Sequence, residues 1–317
     1  LNLKSLTSVG DYAFYDCISL ENVTNIGNIP TMGISLFYNC SSLERITIPA
    51  TVTSISEWAF GKCLSIQNID ILGNIETIGL RAFDTCQKLQ CIIIPKTCHS
   101  IGENSFYNCT SIQSIEILGS LTIISTWLCS FCTSLVNLTI PKSVITIENN
   151  AFYMCTSLQY IIIPENVETI GESAFRSCSS IQYVEMSNKV ISIGGFAFYF
   201  CTSIQNITFS EILTTIGERA FYNCYQIPQL IIPGTVTEIG NNAFEYCQGL
   251  KSVTYLGRSE PTCGTDAFTN TRTNNVYVPP QYEDEYFCNL ARIFIPTSPF
   301  SSSSEFTKSE IFTKSGT

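Results

Sequence analysis

One interval governs this chain. A cysteine stands at Cys17, Cys40, Cys63, Cys86, Cys109, Cys132, Cys155, Cys178, Cys201, Cys224 and Cys247, always 23 residues from the last, with no insertion or deletion. A fixed period of this size is the mark of stacked supersecondary units, and it takes precedence over any local element. The length, 317 residues, would otherwise admit two or three domains. The unbroken period argues instead for one solenoid over residues 1–256, a capping segment over 257–296 and a tail over 297–317.

Numbered from its cysteine, each coil shows the same columns. Three residues before lies Phe (Phe14, Phe37, Phe60, Phe83, Phe106, then Phe152 to Phe244), with Cys129 in that slot once. Three residues after lies Leu or Ile. Six and eight after lie further apolar residues, such as Ile115 and Ile117, alternating with polar ones. That alternation predicts a short strand with one buried face. Pro49, Pro95, Pro141, Pro164 and Pro233 then end the strand, because proline brings no amide donor to a ladder. A second apolar pair follows, as in Val167 and Ile170, then commonly a glycine, read here as a positive-φ turn. The Ala-Phe-x-x-Cys segment leaves room for a single helical or 3₁₀ turn.

The predicted fold is a repeat solenoid of α/β type, predominantly β: a right-handed coil with one parallel sheet and short helical or 3₁₀ turns on its outer side. Stacking buries what one coil alone leaves exposed. At ~4.8 Å per coil, the array would be a rod or shallow arc of roughly 50–60 Å. The Phe column would form a stacked aromatic spine.

Sixteen cysteines invite a disulfide framework, but the period favours an interior ladder of thiols, with some bridging between coils as the alternative. Cys129 falls in a core slot. Cys263 and Cys288 both lie in the capping segment, either as a disulfide or as two separate thiols. From Thr297 the chain is rich in Ser and Thr and repeats Phe-Thr-Lys-Ser, the composition of a disordered stalk.

The coil pattern resembles the BspA-like class of leucine-rich repeats, the 23-residue type of bacterial and parasitic-protist surface antigens. L-E-R-I-T-I-P-A-T-V-T-S-I-S-E-W-A-F-G-K-C, from Leu43 to Cys63, carries it, departing only at Ser56. The resemblance implies a non-catalytic cell-surface protein engaged in adhesion or host-protein binding, with a host-cell or matrix protein as ligand. An intracellular scaffold, or the non-catalytic arm of a larger receptor or enzyme, is the alternative.

Composition narrows the chemistry. A net charge of −10 and scattered Lys and Arg argue against a nucleic-acid partner. No run of 18 apolar residues is present, so membrane attachment would need a segment outside this sequence. Leu1 falls inside a repeat, and the chain is expected to lack its upstream end. The lone histidine, His99, sits beside Cys98, but no third group is in view to orient a nucleophilic pair. Cys129 and Cys132 make a C-x-x-C that coincides with core slots. No phosphate loop, dinucleotide fingerprint or nucleophile elbow occurs. No cofactor, metal or catalytic residue is expected.

Binding is therefore expected on the outward strand columns, five and seven residues after each cysteine. Two clusters stand above the polar background: Tyr160, Ile162, Tyr183 and Glu185, and Cys91 with Ile93. Tyr is enriched at interfaces, although Tyr and Ile also favour strands for their own sake. The column of Gln67, Gln90, Gln113, Gln159, Gln182 and Gln205 is read as a side-chain hydrogen-bond ladder. Five sequons are present, at Asn22, Asn39, Asn108, Asn137 and Asn206. Of these, Asn22, Asn137 and Asn206 share one outward slot and are the glycosylation candidates.

Overall fold

The structure, a computed structural model, describes residues 2–296. The expected tail falls outside them. Each coil contributes one strand of two to five residues to the principal face, and within each run of paired coils a strand such as Ser114–Ile117 lies parallel to its neighbours at a register of one coil. Ile115 and Ile117 point inward and Glu116 outward, the alternation that a half-buried strand requires.

The expectation of one parallel sheet needs correction. The second apolar pair of each coil builds its own ladder of two-residue strands, from Thr31–Met32 to Ser100–Ile101 and from Ile123–Ile124 to Thr262–Cys263. The solenoid thus has two parallel β faces.

The outer arc is also not helical; no helix occurs among the described residues. In each coil the fifth residue before the cysteine and the residue next to it have left-handed φ: Ser35 (50°) and Asn39 (56°), Trp58 (57°) and Lys62 (58°), Phe196 (57°) and Phe200 (59°). Hydrogen bonds alternate accordingly. Leu36, Tyr38 and Cys40 donate three residues back within the coil, while Ser35, Phe37 and Asn39 donate to Glu57, Ala59 and Gly61 of the next. A helix would keep every one of these bonds inside the segment. Stacking instead recruits alternate amides into an inter-coil ladder, which offsets a cost of roughly 1–2 kcal/mol for each left-handed non-glycine residue.

The glycine column has a different purpose from the one expected. Among the described glycines only Gly27 has a positive φ. A Cβ on Gly79 would lie 2.6 Å from the Glu57 amide nitrogen, and one on Gly102 would lie 2.5 Å from that of Leu80. The column is small so that consecutive backbones can approach.

Phe14 to Phe106 and Phe152 to Phe268 stack with ring centroids 5.1–5.6 Å apart, interrupted only where Cys129 takes the slot. The ladder cysteines are free thiols, so no bridge links coils there. From Cys40 to Cys247 each ladder thiol has a partner: Cys63 Sγ donates to the Phe37 carbonyl at 3.1 Å, and Cys178 Sγ donates to that of Phe152 at 3.0 Å. Burial pushes the Cys63 thiol well up, and those of Cys40 and Cys247 to about 12.

The coil pattern continues beyond Cys247. Thr262 stands opposite Glu238, one residue more than the 23-residue step, while Val276 stands opposite Val253, back in step. Phe268 therefore stacks on Phe244, and Thr271 stands in the cysteine slot. A hairpin of Tyr286–Phe287 and Leu290–Phe294 closes this end, turning at Cys288 and Asn289, both with positive φ. Phe287, on the first strand of this hairpin, is fully buried against Tyr255 and Phe268. Cys263 and Cys288 form a disulfide, which settles the two alternatives.

Candidate functional site: a groove in the strand face

The principal face is not one continuous sheet. Its ladder lapses between Asn68–Ile71 and Cys91–Ile94, between Asn137–Thr139 and Tyr160–Ile162, and between Asn206–Thr208 and Gln229–Ile232. At the last break Pro228 occupies the slot from which Gln67 and Gln90 donate to the preceding coil, so a bond is missing for a covalent reason. Each lapse leaves a core residue only partly covered: Ile71, Leu138 and Ile207, all on the strand preceding the break.

The middle lapse opens into a groove of about 530 Å³, within the ~300–1,000 Å³ range of ligand sites. Its floor is Leu138, Ile140, Ile163 and Met186, and its rim carries Tyr160, Ile162, Glu165 and Glu185. Of the predicted cluster, Tyr160, Ile162 and Glu185 line this groove, and Tyr183 lies next to it on the adjoining strand. Tyr160 stands beside Tyr183 and Ile162 beside Glu185 across one strand pair. Tyr160 is 50% exposed, Ile162 59% and Tyr183 52%, high values for large apolar side chains on a rigid face. Lys142 and Glu165, both exposed, face each other at 3.9 Å on the rim.

The second cluster stands apart. Cys91 and Ile93 are exposed on the same face, three coils earlier, about 14 Å away at the usual strand spacing. Asn22, Asn137 and Asn206 are exposed on strands of this face. Asn137, Tyr160, Tyr183 and Asn206 occupy consecutive rungs of one column, so two sequons flank the tyrosine pair. Asn39 instead donates its side-chain amide to Asp16 at 2.8 Å on the outer arc.

Cys98 and His99 are not brought together. The Cys98 thiol is buried and directed at the Ser100 carbonyl, 3.4 Å away, whereas His99 is exposed. Burial raises the Cys98 thiol, the wrong direction for a nucleophile. The Cys129 thiol, pushed well up by burial, lies beside Cys132 in the core. The sulfurs of Cys263 and Cys288 lie close to the Glu260 carboxylate, but they are bonded to each other, and Glu260 accepts the Cys288 amide at 2.6 Å. The glutamine column holds its ladder through main-chain groups, as from the Gln113 amide to the Gln90 carbonyl at 2.8 Å; Gln205 turns its side chain to Gln226.

A second feature escaped the column reading. On the outer arc, Arg81 lies over Trp58 at 4.9 Å, and Arg176 lies over Tyr199 at 4.8 Å between Tyr153 and Phe196. Tyr15, Tyr38, Tyr107, Tyr153, Tyr199 and Tyr222 all stand two residues before a cysteine. That column was visible in the sequence, as were Leu138 and Met186, which looked like ordinary core positions.

Parallel coils with a principal strand face, a second short-strand face and linked turns between them define a leucine-rich-repeat solenoid. A family model described as a BspA-type leucine-rich repeat region, with six copies, matches residues 2–112, 81–188 and 170–294. The chain belongs to that family. A crystal structure of a leucine-rich repeat protein from Bacteroides ovatus is 23% identical with a TM-score of 0.55, covering 92% of this chain and 88% of its own. That of the pneumococcal vaccine antigen PcpA is 21% identical with a TM-score of 0.49, covering 88% and 76%. No curated protein matches. Proteins of this fold generally act through surface contacts with other proteins rather than through catalysis. Among the described residues no helix is long and apolar enough to cross a membrane.

Proposed function

We propose that the chain is a non-catalytic, cell-surface adhesion protein that presents its principal strand face to a host-cell or matrix protein. The observation that carries this reading is the exposure of Tyr160 and Ile162 on the groove, with Tyr183 exposed beside Tyr160 on the adjoining strand. Aromatic anchors on a rigid support give contact area at small entropic cost. A disulfide between Cys263 and Cys288 supports an oxidising, extracellular setting over the intracellular scaffold. Cys91 and Ile93 extend the same face as a secondary contact. Asn22, Asn137 and Asn206 would carry N-glycans where the chain is made in a secretory pathway that attaches them.

Saturable binding to immobilised matrix or host-cell protein tests the proposal. Tyr160→Ala/Tyr183→Ala should weaken binding at least tenfold with an unchanged melting temperature. Unchanged affinity would remove this surface from the proposal. Natural protein found only in the cytosol would remove adhesion itself.

A further inference from the structure

The groove has a charge pattern that its apolar floor does not require. Ladder partners place Glu116 beside Thr139 and Ile162 beside Glu185, and Thr139 and Ile162 are one coil apart. One outward column therefore reads Glu116, Thr139, Ile162, Glu185. Both carboxylates are exposed, and neither has an ion pair or hydrogen bond among the described residues. Lys142, the cation on the rim, faces Glu165. Two uncompensated anions thus bracket an apolar centre, three rungs apart.

We infer that the occupant of the groove is an extended protein segment lying across the strands, with basic residues at i and i+4 and an apolar residue at i+2. The inference rests on the reading of this face as a protein-binding surface and names its partner's chemistry. Three rungs span about 14 Å at the usual strand spacing, somewhat more where the ladder lapses. An extended chain covers about the same length in four residues, and its i, i+2 and i+4 side chains share one face. The apolar side chain then meets Ile162, beside the partly uncovered Leu138, while the basic ends reach Glu116 and Glu185. Lys and Arg stems are long enough to absorb the extra width. An acidic segment would meet two carboxylates on a chain of net charge −10. The flanking positions Asn137 and Asn206 sit one column over, so the path across Thr139 and Ile162 stays open.

Phage-displayed random dodecapeptides, panned against the whole chain and counter-screened on an Ile162→Ser variant, test this. Circular dichroism should show that the variants keep the fold, since every changed side chain is exposed. Sequences lost on Ile162→Ser should carry Lys or Arg four residues apart around an apolar residue. Their Kd should rise about tenfold on Glu116→Gln/Glu185→Gln and rise with added salt. Groove-dependent sequences without that spacing, or with the same Kd on the double variant, would overturn the inference and leave the surface standing. If no selected sequence depends on the groove, both the inference and the choice of surface fall.

Discussion

At the scale of single residues, the most repeated side chains do the least chemistry. Phe198 is fully buried and stacked at 5.2 Å on both Phe175 and Phe221. Phe198→Ala should destabilise the chain by about 3–5 kcal/mol, seen as a lower urea midpoint with an unchanged slope. The cysteines behave alike. From Cys40 onward each ladder thiol both fills space and donates to a carbonyl of the preceding coil, a group otherwise shared with one amide. Native-state alkylation should therefore label exposed Cys91 first, while fully buried Cys63 and Cys201 stay protected until unfolding. Labelling of the ladder thiols in the folded chain at the same rate as Cys91 would contradict the burial described.

At the scale of elements, the strands and the Phe spine were legible because a buried column repeats its residue type. The outer arc was not. Its left-handed positions hold Trp58, Arg81, Met154 and Phe196 as readily as Asn104 or Asn150, and only the asparagines announce that conformation. The amide bonds to the next coil that fix these residues are invisible in a residue list. The groove was half legible: Tyr160, Ile162, Tyr183 and Glu185 stood out as outward residues, but nothing in them reports a lapse in the ladder. Pro228 is the exception, a break written in the sequence. The C-terminal disulfide gives this scale its prediction. Cys263 lies on the second face and Cys288 in the terminal hairpin, 25 residues apart. Reduction should cost about 3 kcal/mol and release the hairpin first, measured as early hydrogen exchange over Leu290–Phe294.

At the scale of the whole molecule, the buried thiols add up. Burial raises the folded-state pKa of Cys63, Cys86 and Cys224, and takes Cys40 and Cys247 to about 12, so the stability these thiols contribute is complete below the unfolded value of about 9 and is lost as pH rises through the raised folded values. Each such thiol contributes about 1.4 kcal/mol per pH unit across that window. The melting temperature should therefore hold to pH 8 and fall steeply by pH 10.5, and a flat profile would count against the ladder. Ahead of the terminal hairpin the described coils lose step once, between Thr262 and Thr271, and this has a further meaning. One added residue is taken up ahead of Thr262 and given back before Val276, without disturbing Phe268 on the spine. Length in this architecture is consequently quantised. Change by a whole coil renews every contact, and change by any other amount must be repaid within the same turn.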